Sequence, residues 1–153
     1  MRKQFFEALY KEMEVDKDIY FITADLGYHL ADKIFKDFPE RAWNVQAAEQ
    51  AMLGTAIGIS LSGKTALCYS ITPFLLHRPF EWIKLYLEGE GIPVKLCGSG
   101  RGEDYESDGP SHHFNDPFPF KFPEVKPENY ANMEVCLHHV LHNNKPTFLS
   151  LKR

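Results

Sequence analysis

No apolar run in the chain approaches the roughly 18 residues that a bilayer-spanning helix needs, so no membrane crossing is expected. The first residues, Met1-Arg2-Lys3-Gln4-Phe5-Phe6-Glu7, are charged from the second position and carry no targeting pattern. No stretch is strongly basic and the formal charge is −4, which excludes a general affinity for nucleic acid or for anionic membrane. Small molecules and proteins remain as partners. Cysteine is scarce: Cys68, Cys97 and Cys136 are odd in number, widely spaced and set among apolar residues, as reduced core thiols are and as a disulfide frame or zinc site is not. The expected compartment is reducing, hence cytoplasmic.

Charge is also missing locally. Between Arg41 and Lys64 the 22 residues carry one ionisable charge, Glu49, at the head of Ala48-Glu49-Gln50-Ala51-Met52-Leu53-Gly54-Thr55-Ala56-Ile57-Gly58-Ile59-Ser60-Leu61. A helix this apolar is expected to be buried, and an ionised carboxylate buried without a partner costs several kcal/mol, so such an acid is paired or held neutral. Glu49 is the first candidate for chemistry.

What is present describes one domain, 1–153: 44% of residues are hydrophobic and 14% aromatic, enough for a real core. Phe5, Phe6, Leu9, Tyr10 and Met13 recur at helical spacing, and Ile19–Ala24 reads as a strand. A short helix over Leu30–Phe38 ends at Pro39, a strand follows over Ala42–Val45, and the helix Ala47–Leu61 stops at Ser62-Gly63. Strands are expected over Thr65–Ile71 and Pro93–Cys97, with a helix from about Pro79 to Leu87 between them. Ser99–Pro127, dense in glycine and proline, reads as a long functional loop, before a helix Asn129–His142 and a strand Thr147–Leu151. Alternating helices and continuous apolar strands predict an α/β fold of three layers, a mostly parallel sheet with helices on both faces. Ligands in such folds sit beyond the carboxyl ends of the strands, where Asp25, Thr72-Pro73-Phe74 and Gly98-Ser99-Gly100-Arg101-Gly102 fall.

Three further patterns have plain readings. Gly98–Gly102 looks like a phosphate-cradling loop, but Glu103-Asp104 follows and no helix starts there, so a flexible connector is expected. His138 and His142 share a helical face as a metal pair does, yet no third ligand stands at a telling spacing, and no metal site is expected. Ala51, Gly54, Gly58 and Ser62 form a stripe of small residues that suits either helix-to-sheet packing or a subunit contact.

Several segments together resemble one family. Thr23-Ala24-Asp25-Leu26, Asn44 through Gly54, Leu61-Ser62-Gly63-Lys64, Tyr69-Ser70-Ile71-Thr72-Pro73-Phe74-Leu75 through Arg78-Pro79-Phe80-Glu81, and Asp108-Gly109-Pro110-Ser111-His112-His113 occur in the order and approximate spacing of the pyrimidine-binding domain of transketolase-like, thiamine diphosphate-dependent enzymes. The resemblance is good over residues 1 to about 116 and looser beyond. It implies the thiamine diphosphate-binding fold and a catalytic and cofactor-binding role for Glu49, which would bond a ring nitrogen of the aminopyrimidine and stabilise the imino tautomer that deprotonates the thiazolium carbon. It also implies that Phe74 stacks on the pyrimidine, and that Asp25 stands near the cofactor and subunit junction, unless it is a simple loop cap. Tyr69 is a weaker pocket-wall candidate, as are Phe80 and Trp82. Asp108 and His112 fall where transketolases contact substrate hydroxyls and the sugar phosphate or a reacting oxygen; His113 and Arg101 are secondary substrate-binding candidates, and His29 and His77 rim candidates.

Family members also need a diphosphate-binding domain marked by Gly-Asp-Gly and magnesium-holding asparagines, and these 153 residues contain no such segment. The resemblance therefore implies one subunit of a split enzyme, with thiamine diphosphate and Mg2+ held mainly by a separate diphosphate-binding subunit in an α2β2 heterotetramer. The implied reaction is transfer of a two-carbon ketol unit between sugars. The alternatives are the small subunit of a 2-oxo acid decarboxylase or a non-catalytic regulatory remnant.

Overall fold

The computed structural model describes residues 1–153. Six strands, β1 (Ile19–Thr23), β2 (Ala42–Asn44), β3 (Thr65–Ile71), β4 (Lys95–Ser99), β5 (Glu124–Val125) and β6 (Thr147–Leu151), form one sheet in the order β2-β1-β3-β4-β6-β5. Every pairing is parallel. The helices are α1 (Arg2–Val15), α2 (Asp32–Asp37), α3 (Glu49–Leu61), α4 (Thr72–His77), α5 (Phe80–Trp82), which runs on as a π-helical stretch Ile83–Gly89, and α6 (Met133–His142).

Because side chains alternate along a strand, each strand feeds two cores. Leu67 and Tyr69 of β3 pack with Phe5 and Leu9 of α1 and with Leu137 and Val140 of α6. Ala66 and Cys68 turn the other way and meet Met52, Leu53 and Ala56 of α3 and Leu75 and Leu76 of α4. The predicted three layers are thus observed. The chain leaves β1 to form β2 on one side, then returns through α3 to form β3 on the other. Strand order reverses there, which opens a crevice at the carboxyl ends of β1 and β3. Glu49 opens α3 at that crevice.

The observed elements correct the expected ones in several places, the last helix among them, which starts at Met133 behind the Asn132 cap and not at Asn129. A helix, α4, starts at Thr72 directly after β3, because Pro73 sits in its first turn, where a missing N–H costs nothing. The helix expected from Pro79 is a short α-helical turn followed by seven π-helical residues. β4 lies two residues later than predicted, since Lys95 is a buried strand residue: its Nζ donates to Asn143 O at 2.6 Å, Asn143 Oδ1 at 3.0 Å and Lys145 O at 2.6 Å. The span read as an open loop is partly packed, with Phe118 stacked on Phe148 at 4.9 Å and Phe120 on Phe122 at 5.4 Å, ahead of the two-residue β5. The apolar α3 is buried on one face only. Ala51, Gly58 and Ser62 of the small-residue stripe lie exposed, and Gly54 faces the Trp82 ring.

Candidate functional site

Glu49 is the first residue of α3 and is 2% exposed. β3 sends Ser70 to the same face, and its Oγ donates to Glu49 Oε1 at 3.2 Å. The other oxygen, Oε2, accepts from Arg78 Nη1 at 2.6 Å, with the arginine side chain 43% exposed. The burial expected for this acid is observed, and the partner it demands is Arg78, the residue that caps α4. Sequence reading left Arg78 without a role. The signal was present, however: beyond Lys64 it is the next cation in the chain.

The same guanidinium lies over the ring of Phe74, its carbon 4.0 Å from the centroid. Phe74 belongs to α4, one helical turn before Arg78, so both project toward the crevice. His112 meets the Phe74 ring edge-on at 4.8 Å and 74°. It ends a 3₁₀ turn, Pro110–His112, that begins after Gly109, whose φ of +88° a side chain would strain. Beside Arg78, a cleft of about 470 Å³ is lined by Ala47, Ala48, Glu49, Gln50 and Ala51. The site is therefore a buried carboxylate, an aromatic face and a histidine at the face's edge, with one half-exposed cation between acid and ring.

The remaining candidates separate. Asp25 stands at the mouth after β1 with φ +49°, its N–H donating to Asn44 Oδ1 at 3.0 Å and its carboxylate accepting from the Tyr28 hydroxyl. The side chain that caps this loop is Asn44, whose Oδ1 also accepts from the Gln46 N–H at 2.9 Å. His113 is half-buried, and its Nε2 has no partner. Asp108 is exposed, 3.8 Å from Arg153 Nη1. Tyr69 lies on the opposite face of the sheet, stacked on Phe5 at 5.5 Å, with its phenol pushed up to about 12 by burial. Side-chain alternation along β3 sends Ser70, not Tyr69, to Glu49. Arg101 is occupied: it grips both oxygens of Glu128 and donates to Ser150 Oγ at 3.0 Å and to Ser150 O. With these bonds it braces the loop after β4. His77 packs on Phe114, and His29 is exposed beside Asp32. The Gly98–Gly102 segment is shaped by packing, since a Cβ on Gly100 would run into the Tyr105 ring.

Comparison with known proteins adds a family. A family model described as "Transketolase, pyrimidine binding domain" matches residues 1–153. The chain is 38% identical over 78 residues to one of the subunits of the apulose-4-phosphate transketolase of Actinobacillus succinogenes, covering 51% of this chain and 25% of that protein. It is 32% identical over 113 residues to a putative transketolase C-terminal section of Methanocaldococcus jannaschii, covering 73% and 36%. The chain thus spans only about a quarter to a third of these relatives' length. A solved structure described as a split gene transketolase, inactive beta4 tetramer, superposes with a TM-score of 0.83 at 24% identity, over 99% of this chain and 51% of that one. That likeness shows the α/β fold.

Proposed function

The chain belongs to the transketolase family, as its pyrimidine-binding domain, and from that premise we propose that it is one subunit of a split thiamine diphosphate-dependent enzyme that transfers two-carbon ketol units between sugars. The observation that carries this reading is Glu49: a carboxylate almost wholly removed from water, at the crevice where strand order reverses, with an aromatic face nearby. The residues fit an aminopyrimidine. A flat heteroaromatic ring needs one apolar plane and one strong acceptor, and Phe74 and Glu49 offer both.

When bound, thiamine diphosphate supplies a nucleophilic thiazolium carbon able to attack a ketose carbonyl. The chain's own contribution is proton control and orientation. Ser70 fixes Oε1, and Oε2, which accepts from Arg78 in this structure, is the oxygen that holds or releases a proton once Arg78 turns away. Arg78 occupies the place that such a ring needs: it bonds the acid and covers the Phe74 plane, so it turns outward through its exposed side before the ring enters. His112, at the edge of Phe74, donates to substrate oxygens, with His113 next to it in the chain and Asp108 and Asp25 at the margins.

In this reading the cofactor's diphosphate and Mg2+ are held by a separate diphosphate-binding subunit. The relatives' names, one of them a lettered subunit and another a split gene product, support a separate partner. Two copies of each chain would give an α2β2 assembly. Its surface for that purpose is the exposed face of α3 with Leu61, continued by Trp82 and Leu85. Sugars are favoured as substrates by the sugar-phosphate activity in one relative's name. Co-expression with the chain carrying the diphosphate domain tests the reading. The pair is expected to bind thiamine diphosphate and to transfer ketol units from ketose donors; a pair that binds none, or that decarboxylates 2-oxo acids and ignores ketoses, overturns it.

A further inference from the structure

We propose that Glu12, His138 and His142 form a binding site for a Zn2+-class cation that clamps α1 to α6, far from the crevice at Glu49. The two histidines lie one helical turn apart on α6, and the third ligand, which no sequence spacing reveals, comes from α1 more than 120 residues earlier. His138 Nδ1 is 3.0 Å from Glu12 Oε1, and His142 Nε2 is 3.0 Å from Oε2. All three ligand atoms lie within 4.8 Å of one another. Ligands on a tetrahedral zinc at about 2.05 Å are separated by about 3.3 Å, so each ring already stands near that distance from one Glu12 oxygen, and the surface side chains close the cluster further around the ion.

The chemistry matches as well. Two imidazoles and one carboxylate are the ligand set of three-coordinate zinc sites that keep a fourth position for water. A concavity of about 320 Å³ beside the three groups leaves room for that water. Glu12 is the anchor, its side chain only 18% exposed, and it brings one negative charge to offset the cation. The nearest competing charge, Lys11, is bound to Glu134 at 2.5 Å and so is largely neutralised. Asp16, on the rim, is turned to accept from the Asp18 N–H at 2.8 Å. Without metal, each ring donates an N–H to Glu12. With metal, the ring nitrogen that faces Glu12 presents its lone pair to the ion and the ring's N–H is on the other nitrogen.

The test is Zn2+ titration of the full chain by calorimetry, with Co2+ as a spectroscopic probe and thermal unfolding as a third readout. One ion per chain is expected, together with a Co2+ ligand-field band and a Zn2+-dependent rise in unfolding temperature. Loss of an outer-shell partner weakens metal sites 10–100-fold, so H138A or E12Q, each removing a ligand, is expected to weaken binding by about 100-fold or more and to abolish the band. Both histidines are at the surface, so alanine there leaves the apo fold intact, as the metal-free unfolding midpoint checks. A double H112A/H113A variant keeps the site. The proposal is overturned if the chain binds no Zn2+, or if binding survives in H138A/H142A and disappears with the tandem pair, which would mark His112 and His113 as the ligands.

Discussion

Replacing Glu49 by glutamine separates chemistry from stability. The amide has nearly the same volume, so the packing of α3 on the sheet is kept, and Ser70 still finds an oxygen at the place of Oε1. The new amide N–H₂ faces Arg78 Nη1, donor against donor, and the charge-assisted bond of 2.6 Å is lost. Such a bond contributes about 1.5–3 kcal/mol. Against it stands the desolvation of a carboxylate 2% exposed, which costs several kcal/mol and disappears with the charge. Arg78, 43% exposed, turns its guanidinium into water. The two effects oppose each other at similar size, so urea unfolding of E49Q is expected within about 1 kcal/mol of the parent. Activity behaves otherwise. A side chain that moves a proton contributes about 10²–10⁴-fold, and the amide cannot take up or release one. Ketol transfer by the assembled pair at saturating cofactor is expected to fall by about that factor, about 3–5 kcal/mol of barrier. Turnover within a few-fold of the parent, with the variant folded and loaded, would refute the proposed role of Glu49.

Three other outcomes follow from the same structure. Arg101 holds the carboxyl of Glu128 down to about 2, so the pair's stabilisation is complete above the ordinary glutamate value and fades as pH falls from about 4.5 toward 2. Because Glu128 is 41% exposed, E128Q is expected to cost only about 1 kcal/mol at pH 7 in chemical unfolding, with the gap to the parent closing at pH 3; a gap that widens in acid has the wrong sign. Burial pushes the thiols of Cys68, Cys97 and Cys136 up, so a thiol reagent at pH 8 is expected to modify none in the folded chain and all three in denaturant; rapid native labelling would contradict their burial. A Cβ on Gly98 would lie 2.6 Å from Thr72 Oγ1 and 2.8 Å from the Phe148 ring, so G98A is expected to destabilise by about 1–3 kcal/mol in thermal or urea unfolding, and a neutral result would mean that α4 shifts freely.

The sequence was most legible where local pattern and burial agree. β3 and β6 have the expected ends because their residues are apolar almost throughout and are covered on both faces. It was least legible where one residue contradicts its type. Lys95 is polar in composition and buried in fact, because three oxygens at the turn before β6 surround its ammonium, and those oxygens are about 50 residues away in sequence. Within the site, Glu49, Phe74 and His112 were readable from chemistry and resemblance and are brought together. Arg78 was not, since its meaning depends on α4 starting at once after β3 and turning its last residues back over the acid. Tyr69 failed by parity: one residue along β3 changes the face of the sheet.

That parity also explains why an acid can be kept in so apolar a helix. A lone carboxylate at Glu49 would be expelled or protonated, so the fold supplies two donors of unequal permanence. Ser70, locked on β3 and fully covered, cannot leave. Arg78, anchored only by its contact with the acid and by the Phe74 plane, has a water-facing side and can. In the proposed reading Phe74 and Glu49 Oε2, released by Arg78, would hold the cofactor's ring, Phe74 by its face and Glu49 by a hydrogen bond to a ring nitrogen. The desolvation cost of the carboxylate is then met at every stage, first by the guanidinium and then by the ring. Removing the placeholder exposes the consequence: R78A is expected to lose stability as a lone chain, because the acid keeps only Ser70, and to recover much of it when the partner and cofactor are added. Unfolding temperatures of R78A alone and in the loaded pair measure that recovery, and a deficit of the same size in both would mean that Arg78 is a fixed part of the assembled site.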